Sequence, residues 1–207
     1  MDINYLIQIG AVTTTPLELI AVVFGLGSVW SMKKESILAF PFGIINVLGY
    51  VYISYVKELY ALAGINLFFA FMSVYGWINW SRQKDDKQTV NISWCSRKEL
   101  AINFAVFLVA FFILRILLKK YTDSPVPSWD ALTTAFYIVA MWLLAIKKIE
   151  NWFAWIIGDF ISIFLFAIPF SHNQVNYFSS FQFLVFTIIA VFGYLEWKKK
   201  YESEVHA

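Results

Sequence analysis

Between Asn151 and Asp159 the chain reads NWFAWIIGD, two indoles and a carboxylate inside a strongly apolar run. Trp152, Trp155 and Asp159 are spaced i, i+3, i+7, which places them on one face of a helix. Indole faces stack on flat rings and attract cations. A carboxylate one turn beyond Trp155 adds a counter-charge. The chemistry on offer is recognition of an aromatic or cationic ligand. The plainer alternatives are that Trp152 is an interfacial belt residue beside Lys147 and Lys148, and that Asp159 pairs with a buried hydroxyl. Trp155 lies one turn deeper, where a belt explains it less well.

Bond-making chemistry finds little support. Cys95 is the one cysteine and lies in a polar loop; His172 and His206 are remote from each other. No disulfide framework is possible within the chain, and Cys–His metal spacing is absent. A membrane enzyme needs a nucleophile, a metal cluster or an acid–base pair at a pocket. A P-loop is missing as well. The chain therefore reads as a non-enzyme with no cofactor, no metal and no nucleic-acid partner.

The elements that position these residues follow from the apolar runs. Of 207 residues, 60% are hydrophobic and 14% charged, where a soluble domain carries about 25% charged. Seven stretches have the roughly 17–25 residues needed to cross a bilayer. They lie near 16–32, 37–56, 60–80, 100–118, 130–146, 152–170 and 178–197. Pro169 ends the sixth. MDINYLIQIG lacks a basic n-region and a small-residue cleavage pattern, so it reads as mature protein. Of the 16 basic residues, 12 fall on one side: Lys33, Lys34, Arg82, Lys84, Lys87, Arg97, Lys98, Lys147, Lys148, Lys198, Lys199 and Lys200. The other side receives Lys57, Lys119 and Lys120, with Arg115 able to snorkel there. The positive-inside rule makes the first side cytoplasmic, with the N-terminus outside and the C-terminus inside.

An internal repeat organises the spans. YGWINW at 75–80 matches FGYLEW at 192–197, an offset of 117, and Glu18 to Trp30 matches Asp130 to Trp142 at an offset of 112. A basic pair follows each of the latter, Lys33-Lys34 and Lys147-Lys148. Two three-helix units joined by one extra helix enter the membrane in the same direction. The predicted fold is thus an all-α integral membrane protein with seven transmembrane helices. Its arrangement is a 3+1+3 parallel repeat, SWEET-like, about an axis along the membrane normal. The predicted organisation is an outer segment 1–15, a first unit 16–80, a cytoplasmic loop 81–99 and a linker helix 100–118. An outer loop 119–129, a second unit 130–197 and a cytoplasmic tail 198–207 complete it. The charged residues of the 81–98 loop read as a solvated face.

The repeat extends the candidate site. Asp159 lies at membrane depth, where a carboxylate costs about 2.5–3.5 kcal/mol on insertion scales and commonly lines a substrate pathway. An offset of 113 carries Asp159 onto Asn46 and Trp155 onto Phe42. A site on the pseudo-symmetry axis would be lined by both helices. Alternatively, Asn46 only bonds across helices. Asn66 and Gln182 are further hydrogen-bonding groups that either meet a ligand or bridge helices. Glu18 and Asp130 read first as acids complementing helix N-termini. Pro41 is expected to kink the second helix and serve as a hinge.

FPFGIINVLGYVYI, LYALAGINLFFAFMSVYGWINW, ENWFAWIIGDFISIFLF and FQFLVFTIIAVFGYLEW occur in order over about residues 16–200. With them the chain resembles the PnuC-type vitamin transporters. The resemblance implies facilitated diffusion of a flat cationic or aromatic vitamin across a bacterial inner membrane. Nicotinamide riboside is the expected substrate, with thiamine and riboflavin relatives in the family. It further implies that Trp152 and Trp155, as the family's WxxW, hold the aromatic base, with Asp159 and Asn46 at the polar positions. Many relatives have Gln where Asn66 stands, which bears on substrate subtype. Trapping by a separate cytosolic kinase would drive net uptake. The partners expected are the vitamin, the lipid bilayer and a homo-oligomer such as a trimer. A substrate-binding subunit needing an ATPase is the competing reading.

Overall fold

The computed structural model describes residues 7–9, 12–56, 60–84, 87–88, 90–167 and 177–205. Seven helices dominate: α1 (Pro16–Lys33), α2 (Ala39–Val56), α3 (Tyr60–Ser81), α4 (Arg97–Tyr121), α5 (Pro127–Ala145), α6 (Asn151–Ala167) and α7 (Tyr177–Val205). Among the described residues six are long and apolar enough to cross a membrane, and α6 is a shorter apolar helix. Two small antiparallel hairpins accompany them, β1 (Ile7–Ile9) with β2 (Val12–Thr14) and β3 (Gln83–Lys84) with β4 (Lys87–Gln88). The chain is a multi-pass, helical membrane protein. Pro169, Lys57, His172 and His206 lie outside the described residues.

Local chemistry fixes the helix ends. Thr15 caps α1 by accepting the Glu18 N–H at 3.2 Å, and Pro16 follows at the first turn. Proline suits that position because its missing N–H had no helical partner. Ser96 and Glu99 close a reciprocal capping box on α4, satisfying two otherwise orphaned donors. Asp130 sits in the first turn of α5, as Glu18 does in α1. The Ser124 hydroxyl donates to the Asp130 carboxylate. α2 begins at Ala39, so Pro41 is its third residue. An N–H there lacks an intrahelical acceptor anyway, so Pro41 does not interrupt the middle of α2 as a kink or hinge would require.

Within each triplet, α1 packs on α2 and α2 on α3, while α5 packs on α6 and α6 on α7. Between triplets, α1 meets α7 and α3 meets α5; α4 lies against α5. Small residues bring the helices close. The Ser28 hydroxyl donates to the Ala39 carbonyl at 2.7 Å, and a Cβ on Gly43 would stand 3.0 Å from the Ser28 oxygen. Small side chains at such crossings let backbones approach where lipid offers no hydrophobic drive.

The 112-residue offset reappears as geometry. Glu35 and Lys147 both take φ 54° just past the ends of α1 and α5. The Glu35 N–H bonds the Met32 carbonyl at 2.9 Å and that of Lys147 bonds Leu144 at 3.0 Å. Ser36 bonds Ser31 at 2.8 Å and Lys148 bonds Leu143 at 2.9 Å. Both ends are Schellman caps, in which glycine is the usual left-handed residue. Here each left-handed residue carries a long charged side chain, and the two meet. Lys147 Nζ lies 2.5 Å from Glu35 Oε1, with side-chain exposures of 0% and 8%. Burial pulls the Lys147 ammonium below the ordinary lysine value, and Glu35 opposes that pull.

Reciprocal contacts surround this pair. The Trp80 indole on α3 donates to the Leu144 carbonyl at 3.2 Å, and the Trp197 indole on α7 donates to Met32 at 3.1 Å. Phe40 meets Trp80 edge-on at 4.9 Å, and Trp152 meets Trp197 edge-on at 5.4 Å. Phe40 packs into the space left by Gly76, and Trp152 into that left by Gly193. Trp80 and Trp197 touch each other at 5.9 Å. The apolar core therefore sits at the end where the basic loops gather. There Lys33 pairs with Glu196, Lys200 with Glu35, and Lys148 with Glu99.

Of the 81–98 loop, the charged residues Arg82, Arg97 and Lys98 are exposed, as expected, while its apolar part packs inward. Ile92 is buried, Trp94 stacks on Phe153, and Ser93 exchanges backbone bonds with Lys147 and Ile149 at 3.1 and 3.0 Å. Its apolar residues have the α5–α6 turn to pack on, and that turn offers free backbone groups.

Candidate substrate-binding site

Asp159 is the middle residue of α6 and is 4% exposed. At about 1.5 Å per residue it stands some 12 Å from either end of this apolar helix. A carboxylate there needs partners, and α5 supplies one. The Tyr137 hydroxyl donates to Asp159 Oδ1 at 3.1 Å and lies 2.9 Å from the Ser162 hydroxyl. The Tyr137 ring leans on Trp155, centroids 5.4 Å apart and planes 30° apart. A Cβ at Gly158 would come within 2.6 Å of that ring, so glycine makes the floor on which Tyr137 lies. The indole N–H of Trp155 is buried without an acceptor among the described residues. Trp155, Asp159 and Ser162 recur at i, i+4, i+7, so α6 presents one polar and aromatic stripe to α5.

The first triplet holds the related arrangement. Asn46 Nδ2 donates to the Ala21 carbonyl on α1 at 2.7 Å, across Gly25. Gly25 is the position that the 112 offset equates with Tyr137. Phe42 packs against Phe24 at 5.6 Å and against Gly27. Asn46 and Asp159 thus each bond to the helix before their own.

The remaining predicted residues are placed elsewhere. Trp152 is 1% exposed, wedged against Gly193 and Trp197 in the core at the basic end. Its ring is committed to packing, although its indole N–H is buried without an acceptor among the described residues. Asn66 donates to the Leu62 carbonyl of its own helix at 2.8 Å. Gln182 hydrogen-bonds with Tyr50, toward the end opposite the basic loops. Tyr137 and Ser162 were not singled out from sequence. Ser162 continues the Trp155–Asp159 stripe by one turn, a signal that heptad spacing carries. Tyr137 leaves no comparable trace, since its counterpart is a glycine.

Comparisons with known proteins agree on the kind of molecule. Residues 15–199 match the family described as Nicotinamide mononucleotide transporter. The nicotinamide riboside transporter PnuC of Escherichia coli K12 is 27% identical over 206 residues, covering 87% of this chain and 84% of the relative. The nicotinamide riboside transporter PnuC of Neisseria mucosa is 25% identical over 189 residues, covering 88% and 72%. The riboflavin/roseoflavin transporter RibM of Streptomyces davaonensis is 28% identical over 135 residues, covering 61% and 58%. A crystal structure of the vitamin B3 transporter PnuC shares the fold at a TM-score of 0.71 and 24% identity, covering 88% of this chain and 80% of that one.

Proposed function

Because this chain belongs to the nicotinamide mononucleotide transporter family, we propose that it carries nicotinamide riboside across a bacterial inner membrane by passive uniport. The observation that carries this reading is the mid-helix carboxylate of Asp159 beside the Trp155 ring. Nicotinamide riboside joins a flat pyridinium cation to a sugar rich in hydroxyls. The indole suits the ring, the carboxylate suits the charge, and Ser162 with Asn46 suits the hydroxyls. Although the family is named for the mononucleotide, a phosphate would meet an acid at Asp159. The more buried lysines at the basic end, Lys33, Lys147 and Lys148, are engaged with Glu196, Glu35 and Glu99. The unphosphorylated riboside is favoured on that ground. Riboflavin is neutral and gives Asp159 less to do.

The transport cycle is alternating access between two three-helix units in a 3+1+3 arrangement, with α4 as linker. The reciprocal indole bonds and the Glu35–Lys147 pair support a closure between units at the basic end. The positive-inside rule makes that end cytoplasmic. Opening toward the cytoplasm then means parting Trp80 from Leu144 and Trp197 from Met32. Capture follows from phosphorylation of the released riboside by a separate kinase.

Competition binding tests the substrate. Purified protein is expected to bind nicotinamide riboside in preference to riboflavin, with thiamine, another flat cation, as the close competitor. Preferred binding of riboflavin would reject the cation reading.

A further inference from the structure

Tyr137 engages three features of α6 at once, and they are the features assigned above to the ligand. Its ring covers Trp155. Its hydroxyl meets Asp159 and Ser162. A tyrosine is a flat ring bearing a hydroxyl, so it presents to α6 the same groups as a flat base bearing a sugar hydroxyl. It lacks the positive charge that Asp159 would prefer, and it leaves the Trp155 N–H unmet. A buried donor without an acceptor is costly to keep. A ligand that adds a charge and an acceptor would answer both.

Access points the same way. Asp159 is 4% exposed and the Tyr137 hydroxyl occupies its Oδ1, so a ligand that takes that oxygen displaces the hydroxyl. Gly158 gives the ring a backbone surface free of side-chain obstruction. The first triplet has no such device. At Gly25 a Cβ would stand 2.7 Å from Asn46 Nδ2, so the amide itself fills the space.

We propose that Tyr137 is a displaceable stand-in for the ligand, capping Trp155 and Asp159 in the closed site and yielding only to a molecule that both stacks and carries positive charge. This rests on the proposed function and deepens it, making Tyr137 a specificity-determining residue. Tyr137→Phe keeps the ring and removes the hydroxyl. By calorimetry on the purified full-length protein, this variant is expected to bind nicotinamide riboside about tenfold more tightly than the native chain, because the competing bond to the carboxylate is gone. Unchanged or weaker binding overturns the proposal, and so does an equal gain for neutral riboflavin. A second measurement needs no vitamin. Labelling of Asp159 by dicyclohexylcarbodiimide, followed by peptide mass spectrometry, is expected to be severalfold faster in Tyr137→Phe. Equal labelling rates overturn the capping role. If neither protein binds nicotinamide riboside while the labelling difference holds, the capping stands and the substrate assignment fails.

Discussion

At Asp159 a single carboxylate is held by one tyrosine hydroxyl in the middle of an apolar helix. Such a group is expensive in a bilayer, and cavities or substrate pathways are where it is commonly kept. Trp155→Ala and Asp159→Ala are each expected to lower nicotinamide riboside transport by about tenfold or more, the scale of losing one buried charge-assisted or aromatic contact. Initial rates in proteoliposomes check this, and native rates in both variants would place the site elsewhere. Cys95 offers a test in the loop. Burial and the neighbouring Glu150 carboxylate push its thiol up to about 12. Its thiolate is therefore scarce at pH 8, and alkylation by iodoacetamide should be far slower than for an ordinary cysteine. The rate should still be rising steeply with pH above about pH 10, where an ordinary thiol is close to levelling. The acid and the single indole of the proposed site, Asp159 and Trp155, were legible in sequence because charge and tryptophan are conspicuous in an apolar run. Tyr137 was not, since an aromatic among aromatics carries no signal until α5 is seen against α6.

At the scale of elements, the apolar runs located all seven helices, and the ends moved for physical reasons. α4 runs to Arg97 and Tyr121, and α7 runs to Val205. Lysine and glutamate stop a hydropathy window but are good helix formers, so helices continue past the apolar limit. Pro41 went the other way, because its role depended on where α2 starts. Trp152 was expected at a pocket and instead fills the gap beside Gly193. A Cβ there would stand 2.5 Å from the Trp152 ring. Gly193→Ala is thus expected to cost about 1–3 kcal/mol, as overpacking does, and to lower the melting temperature in detergent. An unchanged melt would mean that the α6–α7 contact is looser than described.

The whole molecule is tied together at its basic end by a charge pair that the repeat relates to itself. Glu35 and Lys147 are equivalent positions in sequence, yet one is acid and the other base. That substitution was not legible, because a repeat argument looks for likeness and this contact depends on a difference. Glu35→Gln removes the carboxylate that lies 2.5 Å from the buried Lys147 ammonium, at a cost of about 3 kcal/mol or more. Glu35→Leu with Lys147→Met removes both charges and is expected to recover most of the melting temperature. Equal melts for Glu35→Gln and the native chain would show that the pair does not hold the triplets together.

The central claim is that this chain alone is a passive carrier for a flat vitamin cation, working through Asp159. Labelled nicotinamide riboside uptake into liposomes holding only the purified protein, without ATP or an ion gradient, tests it most directly. The account predicts uptake that stops when inside and outside concentrations are equal, and that falls steeply in Asp159→Ala. No uptake until an ATPase partner is added, or accumulation beyond equality that follows an imposed ion gradient, would contradict it.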